Sequence, residues 1–250
     1  IKMEIEVMNK RMIVIIPIYQ NKLDDAEEKS VDLCCYKLGR CYDLCFIVPN
    51  SLDMRNYTKY HDIKVKRFPD RFFKSAKTYN KLMLNAKFYK AFSDYEYMLI
   101  AQTDTLILNH YSIIEQFMDA GYSYWGAPWE EKQGFWFYTT KSFLYEKYNI
   151  GKKFLLRVGN GGFSLRNIRK TLELLKEKWF WKLFWTGNED FFFSCYGLDN
   201  NCGFRVAPLE MARQFALETN MRFNLEHGLK PYAVHKWQEA YPTYDDISPY

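Results

Sequence analysis

The sequence predicts an α/β protein in which helices flank a mostly parallel sheet. Three observations support this fold class. The first half of the chain alternates short β-branched runs with longer charged or amphipathic stretches, and repeated strand–helix–strand units of this kind build parallel sheets. Hydrophobic residues make up 48% of the 250 residues, which is enough for one large core. No internal repeat and no Pro/Gly/Ser-rich linker divides the chain, so we expect a single domain over residues 1–250.

The predicted elements follow from local patterns, taken in chain order. Residues 12–18 (M-I-V-I-I-P-I) form a continuous apolar run, which is typical of a parallel strand buried on both faces. Residues 24–38 predict a helix, because acidic residues lie in its first turn and Gly39 follows it. The other predicted elements are strands at 44–48, 63–68 and 97–101, and helices at 75–92, 167–179 and 208–217.

Composition narrows the classes of protein to consider. The formal net charge is +5, from 35 basic and 30 acidic residues that are mixed along the chain. The sequence therefore lacks the basic footprint of a nucleic-acid-binding protein. A mild positive charge is compatible with an anionic substrate or an anionic membrane surface. Aromatic residues make up 19% of the chain, and such rings serve either as core or as flat platforms for sugars and bases.

The cysteines and the apolar runs predict a cytoplasmic location. Four of the six cysteines form the cluster C-C-x5-C-x3-C, which lacks the paired C-x2-C knuckles of zinc sites. Free thiols in a reducing compartment are the simpler interpretation. No signal peptide is visible, and no run approaches the ~20 apolar residues of a transmembrane helix. We expect a cytoplasmic protein, and contact with the inner face of the cytoplasmic membrane stays open.

Polar residues follow the fourth predicted strand, at the edge where ligands of open parallel sheets bind. Asp104 lies between the strand at 97–101 and a second apolar run, and Gln102 projects to the same side of an extended chain. A carboxylate in this setting needs a cation or hydrogen bonds. Either Asp104 holds a divalent metal that bridges a diphosphate, or it only caps a turn.

Three later features are further candidates. Residues 159–162 (G-N-G-G) form a tight bulge or let the backbone approach a ligand closely. Glu189 and Asp190 lie between Trp185 and three phenylalanines; they occupy the first turn of a helix, where Asp190 could also act as a general base. His235 is either a structural histidine or a metal ligand from late in the chain.

Taken together, these features resemble the core of the GT-A glycosyltransferases. In chain order they are Q-T-D after a buried strand, N-G-G-F-S-L-R, N-E-D and a late histidine. The corresponding parts of the GT-A core are the metal-binding D-x-D, the glycine loop, the acid pair with the catalytic base and the C-terminal metal histidine. Phrases such as I-V-I-I-P-I-Y, F-F-K-S-A-K-T-Y-N-K-L-M-L and Y-W-G-A-P-W are similar to a bacterial glycosyltransferase family from capsule and O-antigen (lipopolysaccharide) loci, over residues 13–237.

The resemblance implies a Rossmann-like GT-A fold. A nucleotide-sugar-binding half would span about residues 12–110, and an acceptor-binding and catalytic half about 111–240. Asp190 would be the catalytic base, with Glu189 as its acidic neighbour, and Asp104 and His235 would hold Mn²⁺ or Mg²⁺. The residues implied around the donor and the acceptor are Pro17, Tyr19, Lys74, Ser75, Tyr79, Asn80, Lys81, Gln102, Gly161 and Gly162.

One departure from the family pattern concerns the metal. Gln102 replaces the first acid of D-x-D, so the implied site has one negative charge fewer. Either the metal is bound more weakly, or a lysine takes its place against the diphosphate.

The implied function is that of a hexosyltransferase-like enzyme. It would move a sugar, with inversion, from a nucleoside-diphosphate sugar (most readily a UDP-sugar) to a glycan or lipid-linked glycan in bacterial surface polysaccharide synthesis. Trp125, Trp129 and Trp185 either stack on the acceptor or belong to the core. Two alternatives stay open. A nucleotidyltransferase would need a glycine-rich loop that residues 19–21 lack, and a non-catalytic carbohydrate-binding protein would explain the aromatic residues but not the acids.

Overall fold

The computed structural model describes residues 10–129, 135–138 and 153–250, and the side chains of 135–138 and 153–156 are not described. A six-stranded sheet in the order β3-β2-β1-β4-β9-β6 forms its centre. The strands are β1 (Lys10–Pro17), β2 (Asp43–Pro49), β3 (Lys64–Phe68), β4 (Tyr95–Ala101), β5 (Thr105–Ile107), β6 (Tyr124–Trp125), β7 (Phe135–Tyr138), β8 (Lys153–Leu156), β9 (Phe163–Asn167), β10 (Ala216–Leu217) and β11 (Ala233–His235).

The central sheet is mostly parallel, as predicted. Strands β3, β2, β1 and β4 pair in parallel, whereas β9 runs antiparallel to β4 and β6 antiparallel to β9. A smaller sheet has β11 between β10 and β5, and β7 pairs with β8. Because β9 reverses direction, its first residues lie at the same sheet edge as the last residues of β4.

Helices cover both faces of the central sheet. Those described are α1 (Asp25–Leu38), α2 (Ala76–Met83), α3 (Ala86–Lys90), α4 (Ser112–Asp119), α5 (Ile168–Glu177), α6 (Trp179–Leu183), α7 (Glu189–Leu198), α8 (Leu209–Phe215), α9 (Met221–Glu226), α10 (Trp237–Ala240) and α11 (Tyr244–Ile247). Within the described ranges, no helix is long and apolar enough to cross a membrane.

The single helix predicted over residues 75–92 is wrong. The structure has two helices there, α2 and α3, because the Asn85 side chain accepts a hydrogen bond from the Lys87 amide at 3.0 Å and starts a new helix. The helix predicted at 167–179 also ends early, at Glu177, and α6 follows it. Apolar periodicity continues across both breaks, so it could not reveal them.

The packing of β1 on both faces of the sheet explains why its sequence is apolar at consecutive positions. Val14 and Ile16 pack into a core cluster on one face of the sheet, and Ile13 and Ile15 pack into a second cluster on the other face. Both faces are therefore withdrawn from water, as expected for a parallel strand. All six cysteines lie in the described part of the chain and are free thiols.

Candidate active site

A cavity of about 420 Å³ lies where β4 ends and β9 begins. The two strands are joined there by a hydrogen bond of 2.9 Å from the Gln102 amide to the Gly162 carbonyl. Eleven of the predicted site residues line this cavity: Tyr19, Lys74, Ser75, Tyr79, Asn80, Gln102, Gly161, Gly162, Glu189, Asp190 and His235. Pro17 and Asp104 line a smaller adjoining cavity, which shares Tyr19 and Gln102.

Strand β11 places His235 against the Gln102–Asp104 turn. It pairs antiparallel with β5, which puts His235 opposite Thr105, and the Lys236 amide donates to the Asp104 carbonyl at 2.9 Å. As a result, the His235 Nε2 atom lies 3.1 Å from Asp104 Oδ1 and 3.2 Å from Gln102 Oε1. Three atoms of the kinds that bind metals thus converge at one point.

His235 lies between two carboxylates. Burial lowers the pKa of its imidazole, but contacts with Asp104 and Glu218 outweigh this and raise the pKa to about 9. Burial acts to raise the pKa of Glu218, which His235 and Lys236 nevertheless lower to about 2. Without a metal, His235 is therefore a cation that balances Asp104 and Glu218.

The donor set fits a weakly held divalent cation. The Asp104 Oδ1 atom is buried and lies 3.1 Å from Nε2 of His235, so a metal bound between them would take the place of the His235 proton. Among the described residues, no group of three or more His, Cys, Asp and Glu side chains is arranged to hold a metal. The third ligand would therefore be the neutral amide oxygen of Gln102.

Asp190 has the properties of a general base. It lies in the first turn of α7, where its carboxylate accepts hydrogen bonds from the backbone amides of Asn160 at 3.0 Å and Phe191 at 2.8 Å. Burial, followed by the charge of Glu189, raises its pKa to about 7. A carboxylate with this pKa can accept a proton near neutral pH, and the two amides fix its direction.

Glu189 takes part in a buried ion pair. Its Oε1 atom lies 3.0 Å from Nη2 of Arg166, and both side chains are almost completely buried. Arg166 also donates to Tyr89 Oη at 2.7 Å and to Ser164 Oγ at 3.0 Å. The pair joins α7 to β9 directly behind the cavity, so Glu189 holds the first turn of α7 and with it Asp190.

The glycines of the 159–162 motif are required by close packing. A Cβ atom on Gly161 would lie 1.9 Å from the Glu189 carboxylate, and one on Gly162 would lie 2.1 Å from Nε2 of His235. Between β8 and β9, Asn160 adopts a left-handed backbone conformation with φ of 65°. Its side-chain oxygen accepts from the Gly162 amide at 3.0 Å, while its buried Nδ2 atom has no acceptor within the part of the chain that the structure describes.

We expect Gly162→Ala to lower the free energy of unfolding by about 1–3 kcal/mol, because the added methyl group displaces the His235 ring. Urea unfolding measures this loss. Gly187→Ala is the matched control, since a Cβ atom there meets its nearest neighbours at an ordinary 3.4 Å. Equal stability of Gly162→Ala and the wild type would contradict the close packing described.

The three tryptophans proposed for acceptor stacking have different environments. Trp125 is completely buried and packs edge-on against Phe117, so the core role is the one that applies to this ring. Trp129 is nearly buried and stacks on Phe191 at 4.5 Å. Trp185 packs against Phe192 and donates to the Asn188 carbonyl at 2.9 Å. Neither Trp129 nor Trp185 lines the 420 Å³ cavity.

Sequence reasoning missed four residues of the site. Glu218 and Lys236 line the cavity as an ion pair of 2.7 Å. Asn160 holds Asp190 through its backbone, and Arg166 pairs with Glu189. The only signal for Arg166 was its place at the end of the N-G-G-F-S-L-R motif, after the apolar residues Phe163 and Leu165.

The sequence matches the profile of a family described as "Protein of unknown function (DUF5672)" over residues 62–235. The chain belongs to this family. Membership in the DUF5672 family names no activity, and no curated protein sequence matches the chain. The origin in capsule or O-antigen loci, which the resemblance implied, stays a prediction.

Solved structures identify the fold of this DUF5672 protein. The apo form of mouse xyloside xylosyltransferase 1 aligns with a TM-score of 0.53 and 12% identity, covering 90% of this chain and 97% of that one. The galactosyltransferase LgtC, in complex with donor and acceptor sugar analogs, aligns with a TM-score of 0.56 and 14% identity, covering 94% and 91%. The chain therefore has the GT-A glycosyltransferase fold that the sequence predicted.

Proposed function

We propose that this protein is a glycosyltransferase that moves a sugar from a nucleoside-diphosphate sugar to a glycan acceptor. One observation carries the proposal. Asp190, a carboxylate with a pKa of about 7, and the Gln102–Asp104–His235 group line joined cavities at the sheet edge where ligands of such folds bind. A proton acceptor and a positive charge that neutralises the departing diphosphate are the two parts that inverting sugar transfer uses.

Asp190 removes the proton of the acceptor hydroxyl as that oxygen attacks the anomeric carbon. The attack displaces the nucleoside diphosphate directly and inverts the anomeric configuration. Because the amides of Asn160 and Phe191 already hold the carboxylate, little rearrangement is needed when the proton moves. The buried Asn160 Nδ2 atom, which has no acceptor among the described residues, is a donor that a sugar hydroxyl can satisfy.

Asp104, His235 and Gln102 are the residues that would hold Mn²⁺ or Mg²⁺. A bound cation would neutralise charge on the departing diphosphate. Lys74 and Lys236 line the same cavity, and Lys236 pairs there with Glu218 at 2.7 Å. Tyr19, at the end of β1, is half-exposed at the cavity and offers a flat ring for the nucleoside.

The finer parts of the proposal concern the substrates. We propose a UDP-sugar as the donor and a glycan or lipid-linked glycan of a bacterial surface polysaccharide, such as capsule or O-antigen, as the acceptor. LgtC was solved in complex with donor and acceptor sugar analogs. Its likeness to this chain is one of fold, and the proposal of a sugar donor and a sugar acceptor draws on that shared fold.

The first test is a thermal-shift screen of nucleoside diphosphates with and without Mn²⁺. At a hundredfold excess over Kd, a ligand that binds only the folded state stabilises it by about 2.7 kcal/mol, which raises Tm by roughly 5–10 °C for a domain of this size. We expect UDP to do so, more strongly with Mn²⁺, and we expect Asp104→Ala to remove the effect of the metal. Asp94→Ala is the matched control, because Asp94 is exposed at the opposite end of β4.

Other outcomes of the screen separate the alternatives. Stabilisation by UDP that is independent of Mn²⁺ and of Asp104 would place the diphosphate on Lys74 and Lys236 and keep the transferase. Absence of a shift with every nucleotide at millimolar concentration would overturn the donor site and favour a carbohydrate-binding protein.

A further inference from the structure

The short helix α6 presents large apolar side chains to solvent. Trp179 is 58% exposed, Phe180 46%, Leu183 66% and Phe184 67%. These rings contact one another, with Phe180 5.8 Å from Trp179 and 5.2 Å from Phe184 between ring centroids. We call these four side chains the aromatic ledge. Contiguous apolar surface of this kind marks an interaction site in soluble proteins.

A cationic segment lies next to the aromatic ledge. Residues 71–93 contain six Lys or Arg side chains and no Asp or Glu, and the ledge segment, residues 178–188, adds Lys182, since Lys178 pairs with Glu177 at 3.0 Å. The two stretches meet where Asn80 Nδ2 donates to Asn188 Oδ1 at 2.9 Å. The six cations of the first stretch are all exposed, and they are Arg71, Lys74, Lys77, Lys81, Lys87 and Lys90.

We propose that the aromatic ledge and the adjoining cationic segment bind the surface of an anionic lipid bilayer. Trp, Phe and Leu side chains partition into the boundary between headgroups and acyl chains, whereas lysine and arginine side chains extend to the anionic headgroups. Each basic residue near such a surface adds electrostatic attraction that salt screens. A second copy of this chain is a poorer partner, because two cationic segments would repel each other across a two-fold contact.

The position of the aromatic ledge and the cationic segment beside the candidate active site indicates a role in delivering the acceptor. Lys74, Asn80 and Asn188 also line the candidate active site, so a bilayer that contacts the ledge lies against the rim of that cavity. An acceptor anchored in the bilayer would then reach Asp190 without leaving the membrane. This role rests on the proposed function, whereas membrane binding itself does not.

Vesicle co-sedimentation tests the proposal directly. Purified protein is mixed with vesicles of phosphatidylcholine alone, or of phosphatidylcholine and phosphatidylglycerol in a ratio of about 3:1. We expect binding to the anionic vesicles that weakens at high salt, and roughly tenfold or more weaker binding for the double variant Leu183→Glu/Phe184→Glu. Lys77→Gln should weaken binding to anionic vesicles by a smaller factor.

The matched control is Phe223→Glu, which places the same charge at a phenylalanine that is 61% exposed on α9. Circular dichroism establishes that each variant is folded. Binding that is absent for the wild type, or that Phe223→Glu reduces as much as the ledge variant, would overturn the proposal. So would a dimer of the wild type in solution that the ledge variant dissociates, since the ledge would then bind a second copy. Retained UDP binding in the ledge variant separates this result from a failure of the donor site.

Discussion

Replacing Asp190 with asparagine is expected to lower kcat by about 10²–10⁴-fold, the range for loss of a positioned general base. Asparagine keeps the size of the side chain but cannot accept the proton of an acceptor hydroxyl. Binding of the nucleoside diphosphate should be retained, because Asp104 and His235 belong to the other end of the site. Turnover with a donor found in the thermal-shift screen measures the first effect, and the Tm shift caused by the diphosphate measures the second.

The pH profile of kcat/KM provides a second measurement for the same residue. Because the pKa of Asp190 is raised to about 7, the carboxylate is ionised above this pH and protonated below it. We expect kcat/KM to fall about tenfold per pH unit well below pH 7, and this limb should be absent from the residual activity of Asp190→Asn. Asp199→Asn, in the residue that follows α7, is the control and should keep the wild-type profile. An unchanged kcat in Asp190→Asn would contradict the assignment of the base.

Replacing Arg166 with methionine is expected to lower the free energy of unfolding by about 3–5 kcal/mol, as for other buried ion pairs that lose one partner. The Glu189 carboxylate would remain buried without the guanidinium 3.0 Å away, and Tyr89 and Ser164 would lose their donor. Methionine has a similar volume, so the loss reports the charge rather than a cavity. Urea unfolding at neutral pH measures the change.

A double variant separates the lost pairing from general damage. Arg166→Met/Glu189→Leu removes both charges and should recover much of the stability that Arg166→Met loses. Arg169→Met is the control, because Arg169 is 77% exposed in a surface ion pair with Glu173, and such a pair contributes at most about 1 kcal/mol. If Arg166→Met and Arg169→Met lower the free energy of unfolding equally, the Arg166–Glu189 pair does not stabilise the fold as described.

The sequence predicted β1, β2 and β4 because these strands are apolar at consecutive positions. It predicted β3 from alternating apolar residues, and it missed β6 and β9. The run at 12–18 and the strands at 44–48, 63–68 and 97–101 all lie within one or two residues of the observed β1 to β4. Burial on both faces produces this pattern, and few other structures do. The position of Gln102 and Asp104 at the carboxyl edge of the sheet was predicted in the same way, from the end of the strand at 97–101.

The rest of the site depends on contacts between distant parts of the chain. Glu218 belongs to no sequence motif and to no predicted helix or strand. His235 reaches Glu218 and Asp104 through the pairing of β11 with β5. Arg166 could not be assigned because its partners Tyr89 and Glu189 lie 77 and 23 residues away. The helix break at Asn85 was missed because the spacing of apolar residues does not reveal a side chain that caps a new helix.

During synthesis on the ribosome, the candidate site is completed late. Strands β1 to β4 and the Asp104 turn emerge early, whereas β11, which supplies His235 between β10 and β5, is made more than a hundred residues later. Until then β5 has an unpaired edge, and Asp104 lacks the cation that balances it. The last strand of the central sheet in chain order, β9, is therefore synthesised before the His235 side chain that completes the candidate site.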